Sequence, residues 1–178
     1  MSDQALDLLV EAMSTRHFGK YRGTVVDTAD PTGRGRLQVQ VPAVMGEKAL
    51  WAMPCVPYAG KRLGLFALPP VGTAVWVEFE AGHLNQPIWA GCFWLDQEID
   101  SSDASESVFF LKTPGLTLRV DNDTGEVLIE SSAGARITLS QQGISIEANQ
   151  IDLKAGSATA SLGAVGFDAM GGALAVGP

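Results

Sequence analysis

From Tyr21 to Trp94 the chain repeats a short pattern of alternating apolar and polar side chains, the period of a half-buried β-strand. In Gly35–Val41, Leu37, Val39 and Val41 alternate with Arg36, Gln38 and Gln40. In Ala74–Glu80, Val75, Val77 and Phe79 oppose Trp76, Glu78 and Glu80. Tyr21–Thr28, Ala49–Pro57 and Pro87–Trp94 read as three further strands. Turn-forming residues separate the runs, as in Asp30-Pro31-Thr32-Gly33, Pro69-Pro70-Val71-Gly72 and Gly82-His83-Leu84-Asn85. Five short strands over residues 20–95 suit a small barrel of the oligonucleotide/oligosaccharide-binding (OB) type. Ahead of them, Leu6, Leu9, Val10 and Met13 mark one face of a helix over residues 3–14, with Asp3 suited to its N-cap.

The pattern lapses at residues 96–107 (DQEIDSSDASES), an acidic, serine-rich stretch that reads as a linker. Beyond it, Leu116–Asp121 and Glu126–Glu130 flank Asn122-Asp123-Thr124-Gly125 and predict a hairpin. Ala135–Ser140, Gly143–Glu147 and Gln150–Lys154 follow as short runs. Each carries an apolar-x-apolar pair: Val127/Ile129, Ile137/Leu139, Ile144/Ile146 and Ile151/Leu153. A meander of such strands has one apolar face and nothing within the chain to cover it, and an isolated narrow sheet is marginal in water. Copies of the same chain are the simplest cover, closing into a rod that buries the stripes and leaves Glu130, Glu147, Asp152 and Lys154 outside. Each buried side chain of this kind contributes roughly 1.5–3 kcal/mol before ordering entropy is set against it.

From Ala155 to Pro178 the chain is rich in Gly and Ala, with Asp168 its only charge. Its larger apolar side chains, Phe167, Met170, Leu174 and Val176, would form an exposed patch unless a partner covers them.

Charge narrows the choice of partner. The net charge is −8 and no basic run exceeds the pairs Arg34/Arg36 and Lys61/Arg62, so nucleic acid is a poor partner. The four tryptophans Trp51, Trp76, Trp89 and Trp94 could stack on bases, as OB barrels often do. In an acidic chain they read instead as core and interface. Cys55 and Cys92 lack metal-motif spacing and lie in apolar runs, which predicts buried free thiols. The acidic N-terminus lacks the basic n-region of a signal peptide, and no stretch approaches the ~20 apolar residues of a membrane-spanning helix. A soluble protein made in the cytoplasm is expected.

Catalytic chemistry finds no foothold in the motifs. His17 and His83 stand apart from any nucleophile or zinc signature. Glu78 and Glu80 share a wet strand face. Asp121–Gly125 opens like a calcium loop, but the twelfth position is Ser132 and lacks the bidentate carboxylate. A hairpin turn is expected there. No catalytic residue, metal or cofactor is expected.

One set of residues resembles a known family. Tyr21-x-Gly23-x-Val25, Asp30-Pro31 and Gly35-Arg36-Leu37-x-Val39-x-Val41-Pro42 open the resemblance. Trp51, Val56-x-Tyr58-Ala59-Gly60, Leu68-Pro69-Pro70-Val71-Gly72, Val75-x-Val77-x-Phe79 and Gly82…Gln86-Pro87-Ile88-x-Ala90-Gly91 continue it. Together these look like the OB domain of phage baseplate assembly protein V and of the related VgrG and tail-lysozyme spikes. The resemblance implies an all-β protein in which an OB barrel (20–95) is followed by an intertwined trimeric β-helix or β-prism (108–163), and the residues themselves add a helical segment (1–19), a linker (96–107) and an apolar tip (164–178). The number three comes from the resemblance alone.

It also implies a non-enzymatic central spike of a contractile tail or injection apparatus, seated beneath a hub and helping to breach the target envelope. Val127, Ile129, Ile137, Leu139, Ile144, Ile146, Ile151 and Leu153 would form the trimer core. Phe167, Met170, Leu174 and Val176 would contact a tip protein of the PAAR kind. Three departures from relatives matter. There is no room for an inserted lysozyme domain, the His-x-His iron motif of some short relatives is absent, and only about 20 residues precede the barrel, so a separate hub protein is expected. The alternatives are an OB module for single-stranded nucleic acid or glycan, marked by a monomer with a basic or aromatic groove, and a cell-wall hydrolase, marked by a catalytic constellation.

Overall fold

In the computed structural model, residues 3–164 and 166–169 are described. The chain divides into two compact units, one ending at Glu98 and one beginning at Ile99, a boundary inside the acidic stretch.

The first unit opens with helix α1 (Asp3–Thr15). Strands β1 (Tyr21–Asp27), β2 (Leu37–Gln40), β3 (Ala49–Pro54), β6 (Ala74–Phe79) and β7 (Pro87–Cys92) close into a barrel in the order β1-β2-β3-β7-β6. All pairings are antiparallel except β3 with β7. The alternation read in the sequence sets the inside: Leu37, Val39, Val41, Val75 and Val77 are fully buried, with Val25, Phe79 and Trp89 beside them. Gly23 is required where β1 is crowded, since a Cβ there would lie 3.0 Å from both the Gln40 carbonyl oxygen and Val77 Cγ2.

Two loops hold the barrel's ends. Between β1 and β2, the Asp30 carboxylate accepts hydrogen bonds from the Thr32, Arg34 and Arg36 backbone N–H groups and from the Arg36 guanidinium at 2.8 and 2.9 Å. That guanidinium, with the backbone donors, holds the Asp30 carboxyl far below the usual carboxylate range. At the other end, His17 N–H donates to the Gly82 carbonyl, and Gly82 adopts φ +77° against Arg16 Cβ and the His17 backbone nitrogen. The 4-residue helix α2 (Pro42–Met45) and the small hairpin β4 (Ala59–Gly60) and β5 (Leu63–Gly64) are additions the alternation did not announce.

The second unit has two antiparallel sheets. The first, in the order β12-β11-β10-β9-β8, comprises β8 (Val108–Thr113), β9 (Leu116–Asp121), β10 (Glu126–Ser131), β11 (Arg136–Ser140) and β12 (Gly143–Glu147). The second comprises β13 (Gln150–Ala155), β14 (Ala158–Gly163) and β15 (Gly166–Ala169). The Ile151/Leu153 pair therefore opens a new sheet instead of extending the first, and the described part of the Gly/Ala-rich stretch contains strands β14 and β15.

The two thiols correct an expectation: Cys55 and Cys92 are free but exposed. Strand parity is the reason. Trp89 and Pro87 point inward on β7, so Cys92 falls on the outer set, and Ala52 points inward on β3, so Cys55 falls outside.

Candidate functional site: an open apolar sheet face

Strand register gathers the apolar pairs of the second unit. Phe109, Val120, Val127, Leu139 and Ile144 are direct cross-strand partners across all five strands of the first sheet. Leu111, Leu118, Ile129, Ile137 and Ile146 form a second such row. The rows lie two positions apart along every strand, so all ten side chains project from one face. The opposite face carries Lys112, Thr117, Glu130, Arg136 and Glu147 in one row and a mixed row of Phe110, Arg119, Leu128, Thr138 and Ser145 in another.

The apolar face is uncovered in the single chain. Phe109, Leu111, Ile144 and Ile146 are each more than half exposed, and Ile144 reaches 71%. Ile151 joins Ile129, Ile137 and Ile146 around an open apolar hollow of about 300 Å³. The second sheet repeats the scheme, with Ile151, Leu162 and Phe167 in one row, Leu153, Ala160 and Ala169 in the next, and Asp152, Ser161 and Asp168 behind. Six of the eight side chains assigned to a self-association core thus share one face, while Ile151 and Leu153 belong to the second sheet. Phe109, Leu111, Leu118 and Val120 belong with the six although sequence reasoning passed over them. Their i, i+2 spacing was the available signal.

The polar side is ordered by ion pairs. Asp103, from the acidic stretch, is the only buried side chain among the described residues of this unit. Its carboxylate accepts from the Lys112 ammonium and, at 3.3 Å, from Arg119 Nε. Lys112 first, then Arg119, holds the Asp103 carboxyl below its usual range, and the pairing raises Lys112 in turn. Arg136 donates to Glu130 at 2.5 Å, which raises the Arg136 pKa. Asp152 is lowered chiefly by the Ser161 hydroxyl at 2.6 Å.

Other sequence candidates fall elsewhere. Asp121 Oδ1 accepts from the Asp123 and Thr124 backbone N–H groups, and Gly125 N–H returns to the Asp121 carbonyl, so residues 121–125 form the hairpin turn. These donors lower the Asp121 carboxyl. His83 Nε2 lies 2.5 Å from an Arg16 guanidinium nitrogen, and the His17 ring packs on Tyr21 and Phe79. Glu78 pairs with Lys20. The tryptophans do not make one platform. Trp89 is buried and donates to the Gly35 carbonyl at 3.3 Å, Trp76 stacks with Phe93 under Arg22, Trp51 lies beneath Arg36, and Trp94 is exposed. Of the tip candidates, Phe167 is exposed, and Met170, Leu174 and Val176 lie outside the described residues.

No curated protein matches the chain in sequence. A family model does: that of the type VI secretion system/phage-baseplate injector OB domain, over residues 21–94. The matched span begins with β1 and ends just past β7, the closed barrel described above. Residues 21–94 are thus similar to the type VI secretion system/phage-baseplate injector OB domain in both sequence and barrel.

Proposed function

We propose that the protein is the central spike of a contractile tail or injection apparatus, a structural part with a mechanical role. The observation that carries this reading is a ten-residue apolar face left open on a strand-rich unit that follows an injector OB domain. A soluble chain exposing such a face needs a cover. Three copies arranged about one axis cover it with themselves: the apolar rows run inward and the Glu130/Arg136/Glu147 row stays wet. The result is an intertwined β-helical or β-prism needle. No strand leaves such a needle without exposing core from every copy, which suits a part that transmits force.

In this reading the barrel seats beneath a separate hub protein, and the C-terminal apolar residues take a PAAR-type tip protein. The needle meets the target envelope when the sheath contracts. A tagged chain expressed in cells that make the particle tests the placement. Gold label at the sheath-distal end of purified tails supports it, whereas label along the sheath, or none on particles, contradicts it. Truncation after Gly163 should abolish capture of the tip protein, and unchanged capture would remove that partner from the account.

A further inference from the structure

The barrel carries a second exposed surface, at the rim where β3 and β7 end. These strands are parallel neighbours, joined by Met53 opposite Ile88, Pro54 opposite Trp89, and Cys55 N–H donating to the Trp89 carbonyl. Both therefore leave the barrel at the same rim. The chain after β3 runs through the β4–β5 hairpin and returns to β6, whose Ala74 carbonyl accepts from Phe93 N–H just past β7. Topology thus places residues 55–73 and residues 93–98 together.

Their chemistry is opposite in charge and alike in apolarity. Residues 48–77 contain no Asp or Glu, in a chain of net charge −8, and the hairpin tip carries Lys61 and Arg62. Residues 93–98 carry Asp96 and Glu98 and no cation. On the hairpin side Tyr58, Leu63, Leu65 and Phe66 are more than half exposed, Phe66 at 75%. On the exit side Trp94 is 64% and Leu95 49% exposed. An open groove of about 430 Å³ runs along the hairpin, bordered by Arg34, Tyr58, Arg62, Leu63, Phe66 and Trp89, and residues 93–98 of the same chain do not line it. A groove of that size takes one or two large side chains.

We propose that this basic, aromatic groove receives the acidic exit segment Trp94–Glu98 of a second copy of the chain. Trp94 and Leu95 fill the groove while Asp96 and Glu98 face Arg34, Lys61 and Arg62. Charge complementarity fixes the register and rejects the groove-to-groove alternative, which sets cation against cation. Two different patches meet, so the contact is heterologous, and it closes into a ring when the copies are related by the threefold rotation of the proposed needle. The proposal rests on the self-associating reading above and adds an interface at the barrel to the one at the needle.

The test uses the full chain with Cys55→Ser and Cys92→Ser. Chains carrying only Phe66→Cys are mixed with chains carrying only Leu95→Cys, co-assembled by unfolding and refolding together, and oxidised. A covalent two-chain band on SDS gels, absent when either chain is oxidised alone, is the expected result. Reversing Arg62 and Lys61 to Glu should lower its yield by more than about fivefold, and adding Asp96→Lys and Glu98→Lys in the partner should restore it. An oligomer by light scattering with no such band overturns this proposal and leaves self-association standing. So does a bond that forms only within one chain carrying both cysteines. A monomer by light scattering overturns both.

Discussion

The barrel buries a cluster of ten apolar side chains within one chain, whereas among the described residues beyond Ile99 the only buried side chain is the carboxylate of Asp103. Both units are built from short, mostly antiparallel strands that carry apolar–polar alternation. The difference is closure. In the barrel β1 pairs with β6, so the inward set of every strand meets the inward set of another. In the second unit the five-stranded sheet stays open, so an equally regular stripe faces outward. Identical local patterning gives a self-sufficient core in one region and an open apolar face in the other. The first should be stable alone and the second only in company.

The sharpest way to break that contrast is on the open face. Ile129→Asp with Ile137→Asp places two carboxylates where a dry core is proposed, and it should reduce the assembly to single chains of 18.7 kDa. Far-UV circular dichroism should show the barrel melting unchanged. The reciprocal change, Leu37→Ala, removes a fully buried side chain from the barrel and should cost about 2–5 kcal/mol in a urea melt. The proposed assembly of the second unit should survive it.

Acid sharpens the contrast less. Asp30 in the barrel and Asp103 and Asp121 in the second unit all sit below their ordinary 3.8 in the folded chain. A depressed carboxyl contributes stability that is complete above the unfolded value and is lost as pH falls toward the folded one. Stability should therefore be flat in these groups from pH 7 to about 5 and fall below about 4. Asp30→Asn should remove part of that acid limb from the barrel alone, and Asp103→Asn from the second unit alone. Hydrogen exchange of the two units reads them separately. The smallest effect concerns the thiols. Both should react with a disulfide reagent in the folded chain, Cys92 more slowly because partial burial raises its pKa.

The barrel was legible because alternation is strict over residues 37–41 and 75–79 and its turns are punctuated by Gly, Pro and Asp. Residues 37–41 and 75–79 declared both their structure and their buried side. The apolar face was half legible. Val127/Ile129 through Ile144/Ile146 stood out, but β8 did not, since Phe109 and Phe110 are apolar on both faces and blur the period. Nor did β14 and β15, whose paired Ala160 and Ala169 carry little hydrophobic signal. Asp103 left no mark in an acidic, serine-rich run, because its burial depends on Lys112 and Arg119 arriving from β8 and β9. The thiols were misplaced by reading apolar neighbours instead of strand parity. The number of copies is not written in the strand pattern at all.

The central claim, that the open face is covered by copies of itself, is tested most directly by the mass of the full chain in solution. Light scattering at micromolar concentration should give about 56 kDa, three times the 18.7 kDa chain, and the species should persist in SDS without heating. A stable, soluble 18.7 kDa monomer would leave the ten-residue face bare in water and contradict the account.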